Sequence, residues 1–224
     1  MQARPDRPYG YTLIEVMTVV AIIAILSALA VWYPRNAKRN ASISSAAWDV
    51  SLRLSGLRSA AMAEGQDYLF VIVDAPGNDG TSCGVVSQAN CVAYFILSNP
   101  NAAWSLATFN PGAPAANAQL VDSQTLPRGA RLETNLAALP PAPFSNVTIS
   151  GPTDTALVGT CGGRNCMAVR FTQSGAARPE FATPGAARLG WSFVLGSDLS
   201  PGVGERKGIV VGFPTGIVKA FPYY

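Results

Sequence analysis

YTLIEVMTVVAIIAILSALAVWY, residues 11–33, is the stretch on which the fold turns. It holds one charged side chain, Glu15, and three aliphatic hydroxyls, Thr12, Thr18 and Ser27. Nothing in it breaks a helix. At about 1.5 Å per residue the segment reaches about 35 Å, enough to cross a bilayer. Its apolar residues fall on every face, which argues against a half-buried helix of a soluble domain. Residues 1–10, MQARPDRPYG, are by contrast short, polar and broken by proline.

A secretory signal peptide would have a shorter apolar core followed by a small-residue cleavage site. Ser27-Ala28-Leu29-Ala30 offers a faint one. A plain N-terminal anchor explains the length. Neither reading gives Glu15 a purpose. A carboxylate in hydrocarbon costs about 2.5–3.5 kcal/mol even on the lenient insertion scale, so its presence marks a functional position. It needs a cationic partner, and the segment has none of its own. The nearest cation that can form is a new amino terminus, created by a cut just before the helix.

Gly10 followed by Tyr11-Thr12-Leu13-Ile14-Glu15 resembles the type IV prepilin signature, with Tyr11 standing where that family most often has Phe. The resemblance implies that residues 1–10 are a leader and that a prepilin peptidase cleaves between Gly10 and Tyr11. The same enzyme would then methylate the new amine of Tyr11. N-methylation leaves that amine charged. Glu15 would pair with the amine of a neighbouring subunit during filament growth, which supplies the partner its burial demands. The implied precursor sits in the inner membrane as a single-pass protein, its C-terminal domain periplasmic, and passes into a pilus or pseudopilus. Its partners are the peptidase and other major and minor pilins or pseudopilins; no cofactor is implied. Arg4 and Arg7 precede the apolar run while Arg35, Lys38 and Arg39 follow it. Counting positive charges therefore does not place the leader in the cytoplasm; the processing motif and the cysteine pairs do.

Beyond residue 33 the helix is expected to continue through 34–64, with a kink or local melting at Pro34, which lacks an amide donor and clashes with the carbonyl of Ala30. Ile43, Ala47, Val50, Leu54, Leu57 and Ala61 recur at spacings of 3 and 4, marking one face that docks on a sheet. Asp49, Arg53 and Arg58 avoid that face. Asp49 and Arg53 are four apart and can pair, and Gly65 is a natural stop. A coiled coil with another subunit is the alternative use of the stripe.

Residues 65–224 read as a β-rich globular domain. Strands are expected at 68–73, 92–97, 147–150, 168–172, 191–195, 208–213 and 217–221, with Ala/Pro/Asn-rich loops at 98–118 and 137–145. A long helix followed only by strands predicts an α+β, pilin-like fold, the helix packed on an antiparallel sheet or sandwich. Ala168–Gly175 and Gly208–Val218 resemble strand–turn–strand pieces of the GspH/FimT group, and Leu126-Pro127-Arg128-Gly129-Ala130 a further segment of it. That group comprises minor type IV pilins and minor pseudopilins of type II secretion, which help to start filament assembly near the tip.

Composition narrows the other functions. Apolar residues make up 49% and charged residues 13%, half the usual share of about 25%. The net charge of +3 is too small to indicate an acidic partner. Histidine is absent, which removes the commonest general base and metal ligand and argues against an enzyme. Gly202-Val203-Gly204 lacks the Lys-Ser/Thr ending of a phosphate loop. Asn146-Val147-Thr148 matches a glycosylation acceptor, a tripeptide common by chance.

The four cysteines form two local pairs, Cys83/Cys91 and Cys161/Cys166, as expected for two small disulfide loops made in an oxidising compartment. A four-thiolate zinc site and reduced core cysteines are the alternatives. One branch of the GspH/FimT group binds DNA through a C-terminal Gly-Arg-x-Arg motif. The stretch here, Gly216-Ile217-Val218-Lys219, has isoleucine at the first arginine position, which disfavours DNA as a partner. Arg164, Arg178, Arg188, Arg206 and Lys207 are spread among acids and read as solvated surface.

Overall fold

The computed structural model describes residues 11–75, 91–127, 130–132, 144, 159–161, 164–180, 190–197 and 206–223; at 29–40 and at 75, 91, 159, 160 and 197 it describes backbone only. The chain divides into two compact units, Met1–Arg39 and Asn40–Tyr224. Helix α1 (Leu13–Glu64) supplies residues to both. The backbone remains helical through Pro34, so the local melting expected there does not occur. A proline deletes one bond of the ladder, and the turns on either side suffice to carry the helix.

Within the second unit the apolar stripe of α1 works as its spacing predicts. Ile43, Ala47, Val50, Leu54, Leu57 and Ala61 are all buried, joined by Ala46. The helix ends at Gly65, whose φ of +65° is open to glycine without the Cβ penalty. Its N–H donates to the carbonyl of Ala61 at 3.1 Å, satisfying one of the free carbonyls of the last turn.

Ten strands follow among the described residues: β1 (Tyr68–Ala75), β2 (Cys91–Ser98), β3 (Gln119–Thr125), β4 (Ala130–Leu132), β5 (Gly159–Cys161), β6 (Arg164–Phe171), β7 (Ala177–Glu180), β8 (Gly190–Ser197), β9 (Arg206–Gly212) and β10 (Val218–Tyr223). They form two antiparallel sheets. The first runs β3-β2-β1-β6-β5, with β7 also paired to β6; the second runs β10-β9-β8-β4. The arrangement is α+β and pilin-like, as the sequence predicts. Six expected strands coincide with β1, β2, β6, β8, β9 and β10. The expected strand at 147–150 and the loop at 137–145, Phe144 excepted, lie outside the described residues.

Alternation along the strands explains the layering. Tyr68, Phe70 and Ile72 of β1 point into the main core, which they share with the α1 stripe, with Met167, Val169 and Phe171 of β6, and with Trp191, Phe193 and Leu195 of β8. Leu69, Val71 and Val73 point the other way, into a second core closed by Trp104, Leu106 and Phe109. These last three come from the segment expected to be a loop. It is one, held by a run of turns such as Trp104 N–H to the Asn101 carbonyl at 3.1 Å, yet it roofs the far face of the first sheet. A third cluster, Phe144, Val194, Val210, Phe221 and Tyr223, covers the far face of the second. The central strands of both sheets are therefore buried on both faces, and strands such as β1 read as continuous apolar runs for that reason.

Polar ties fix the helix to the sheet edge. Arg53 meets Asp122 of β3 at 3.1 Å and its expected partner Asp49 at 3.8 Å. The Tyr94 hydroxyl lies 3.0 Å from Asp49 Oδ2 and 2.7 Å from Gln124 Oε1. Burial, then the hydrogen bond and charge of Asp49, raise the Tyr94 phenol above its ordinary pKa. Asp74, buried at the end of β1, has its carboxyl pushed up to about 7 by desolvation, with Arg131 opposing.

Candidate assembly site

The N-terminal segment is built around one cap. Tyr11 and Thr12 lie outside the helix, which begins at Leu13. The Thr12 carbonyl accepts from the N–H groups of Glu15 (3.1 Å) and Val16 (3.2 Å), and the Thr12 hydroxyl accepts from the Glu15 N–H at 3.4 Å. Thr12 is thus the N-cap residue, satisfying with its side chain a donor that the first turn otherwise leaves open. The Thr18 hydroxyl donates to the Glu15 carbonyl at 2.8 Å, which hides this second hydroxyl's polarity within the helix.

Glu15 occupies the first turn, where a negative charge complements the partial positive charge of the helix N-terminus. Thr12-x-x-Glu15 before an apolar run is the capping-box pattern, the sequence signal for this cap.

All side chains from Tyr11 to Ala28 are exposed, with Tyr11 at 84% and Leu13 at 78%. Apolar surface exposed on every face of a helix calls for lipid or for other apolar helices around it. Among the described residues no helix is long and apolar enough to cross a membrane. Side chains are described for residues 11–28 of the apolar run, which in sequence extends to Tyr33. Gly10 lies outside the described residues.

The cysteines separate into a settled pair and an open one. Cys161 and Cys166 form a disulfide with Cα atoms 5.8 Å apart, closing the β5–β6 turn inside the second core. That bond removes both thiolates from a four-cysteine zinc site, and the disulfide reading holds for this pair. Cys83 and the side chain of Cys91 lie outside the described residues. The closed loop is short, so chain entropy assigns the bond about 2 kcal/mol. Replacing both Cys161 and Cys166 by alanine should lower the unfolding free energy by about that amount in a denaturant titration. No change would mean that strain cancels the constraint.

Two of the described arginines are engaged locally. Arg170 is taken up by Asp67 (3.5 Å) and Glu180, and Arg206 stacks over the Tyr223 ring at 5.0 Å. Gly216, with φ of +67°, ends the turn between β9 and β10, where any side chain would meet Arg58 and the Gly175 carbonyl. Arg188 lies outside the described residues.

The apolar helix, exposed on all sides from Tyr11 to Ala28, opens on a capped first turn that holds a lone carboxylate, and an antiparallel β head follows it in the chain. The family model for the prokaryotic N-terminal methylation motif matches residues 7–31, covering the expected cut, Thr12 and Glu15. The chain thus carries the type IV prepilin N-terminal signal ahead of an α+β, pilin-like arrangement. No curated protein and no solved structure matches it.

Proposed function

We propose that this protein is a minor type IV pilin, a non-enzymatic filament subunit that helps to start pilus assembly near the tip. The observation that carries the reading is the exposed apolar helix whose first turn holds a lone carboxylate within the methylation motif. The precursor waits in the inner membrane as a single-pass protein with its head in the periplasm. Prepilin peptidase removes residues 1–10 and methylates Tyr11. The helix then leaves lipid and packs among the helices of other pilins, an exchange of one apolar surrounding for another that costs little. Glu15 supplies register by pairing with a neighbour's amine.

The resemblance of Ala168–Gly175 and Gly208–Val218 to GspH/FimT segments supports a minor rather than a major subunit. The same resemblance admits the alternative of a minor pseudopilin of type II secretion, since both machines use one N-terminal device. A DNA-binding minor pilin is a further alternative, disfavoured by Ile217 at the first arginine position of the motif.

Intact mass and N-terminal peptide mapping of the chain from its native membrane test the processing step. A start at N-methylated Tyr11 is expected; a retained Met1 or a start near Val31 would sink it. Co-purification with pilus or with secretion components then chooses the machine.

A further inference from the structure

We propose that Asp74 is a pH-sensitive latch between the two sheets of the head: its neutral carboxyl holds the end of β1 against β4, and ionisation loosens that junction.

Asp74 is 2% exposed. Among the described residues it is the one charged side chain that is buried; the other buried polar groups are the hydroxyls of Ser51, Ser98 and Ser192. Alternation puts it on the face of β1 that carries Tyr68, Phe70 and Ile72, so it points into the core between the sheets. Its cross-strand neighbours, Val92 of β2 and Asn165 of β6, do not titrate. The Leu126 N–H donates to the Val92 carbonyl at 2.8 Å, and four residues on the chain enters β4. That strand pairs with β8 of the second sheet and places Ala130 and Leu132 in the same core.

No neighbouring charge compensates the carboxylate fully. Arg131 of β4 acts on Asp74 from across the junction, yet the ion pairs among the described residues do not include Asp74. On α1, Asp49 is engaged with Tyr94 and Arg53. On β6, Arg164 shares the face of Cys166, which lines the second core on the other side of the sheet. A carboxylate removed from water without a paired cation costs more than keeping its proton, so the group stays neutral where an exposed one is charged. Desolvation accordingly raises Asp74 to about 7, with Arg131 opposing.

An unfolded aspartate titrates at about 3.9. The folded head therefore binds this proton more tightly than the unfolded chain does. The stability it contributes is complete below about pH 4, is lost as pH rises to about 7, and stays lost above that. Once ionised, the carboxylate regains water most cheaply by local opening. It stands one residue from the end of β1, and β4, the lid over it, is three residues long. The junction therefore opens before the paired centre of either sheet.

The test compares the full chain in detergent with its Asp74→Asn variant, which keeps the shape and cannot ionise. Between pH 4 and pH 7 the unfolding constant of the wild type should rise relative to that of the variant, by up to about tenfold per pH unit. Above pH 7 the Leu126 and β4 amides of the wild type should exchange faster than those of β8 and β9, and this contrast should vanish in the variant. Parallel pH profiles would overturn the titration, and a stability difference without selective exchange at β4 would overturn the latch. Should the variant fail to fold, an infrared titration of wild-type chain with isotope-labelled aspartate decides: a carboxyl midpoint near neutrality is expected, and its absence would overturn the inference.

Discussion

Glu15→Ala should leave cleavage after Gly10 intact and reduce incorporation of the subunit into filaments by at least about tenfold. The two steps separate because they ask different things of residue 15. Cleavage needs an accessible Gly10–Tyr11 bond, and the Thr12 cap survives the substitution, since its bonds run to the backbone N–H of residue 15. Under the proposed function, incorporation needs the carboxylate. Alanine is easier to place in an apolar bundle by the roughly 2.5–3.5 kcal/mol that a buried carboxylate costs. Were burial all that mattered, the variant would assemble better than wild type. The expected loss therefore requires that pairing with a neighbour's charged amine outweigh this cost, by the 1.4 kcal/mol that corresponds to tenfold. Measured as the ratio of filament-associated to membrane-associated chain, unchanged incorporation would remove the register role of Glu15. Glu15→Gln refines the outcome, because it keeps the shape and a hydrogen bond but not the charge. If Gln assembles as poorly as Ala, charge neutralisation carries the effect.

The sequence was most readable where one residue contradicts its neighbours. Glu15 in an apolar run demanded a cation, and the helix stripe from Ile43 to Ala61 demanded a sheet, as the common core of α1, β1, β6 and β8 shows. It was least readable where burial comes from elsewhere. QLVDSQT carries no clean alternation, yet forms β3 because its backbone pairs with β2, across a register shift between Ile96 and Leu97. A polar strand at a sheet edge is tolerated since only one side of its backbone is paired and its faces stay wet. Strands β4, β5 and β7 are too short to show a period.

Trp104, Leu106 and Phe109 sit among Ala, Pro and Asn, a composition that signals loop. The composition was right about the backbone. It could not show that three large side chains of that loop would close a core. The Thr12 cap is hidden for a different reason: at the edge of an apolar run a hydroxyl shows as polarity, and its use as an acceptor appears only once the first turn is in place.

Trp191→Ala should destabilise the head by about 3–5 kcal/mol, the largest single loss expected from its core. Trp191 is fully buried on β8 and faces the shared core. Its ring meets Phe70 of β1 edge-on at 6.2 Å and Phe193 at 4.8 Å, and Phe70 stacks on Tyr94 at 5.2 Å. This file of rings joins the first sheet to the second, so truncation opens a cavity where neither sheet can close independently. For a chain of this size, unfolding in detergent should move down by roughly 6–20 °C.

The Phe variant separates packing from polarity. The indole N–H has no hydrogen-bond partner among the described residues, and an unsatisfied buried donor costs about 1–3 kcal/mol. Trp191→Phe removes that donor while keeping a ring, so the two effects partly offset and the net loss should stay below about 2 kcal/mol. A Phe variant as unstable as Ala would show that the indole donor is satisfied in solution and holds the site. A mild Ala variant would show instead that the two sheets repack without the ring between them.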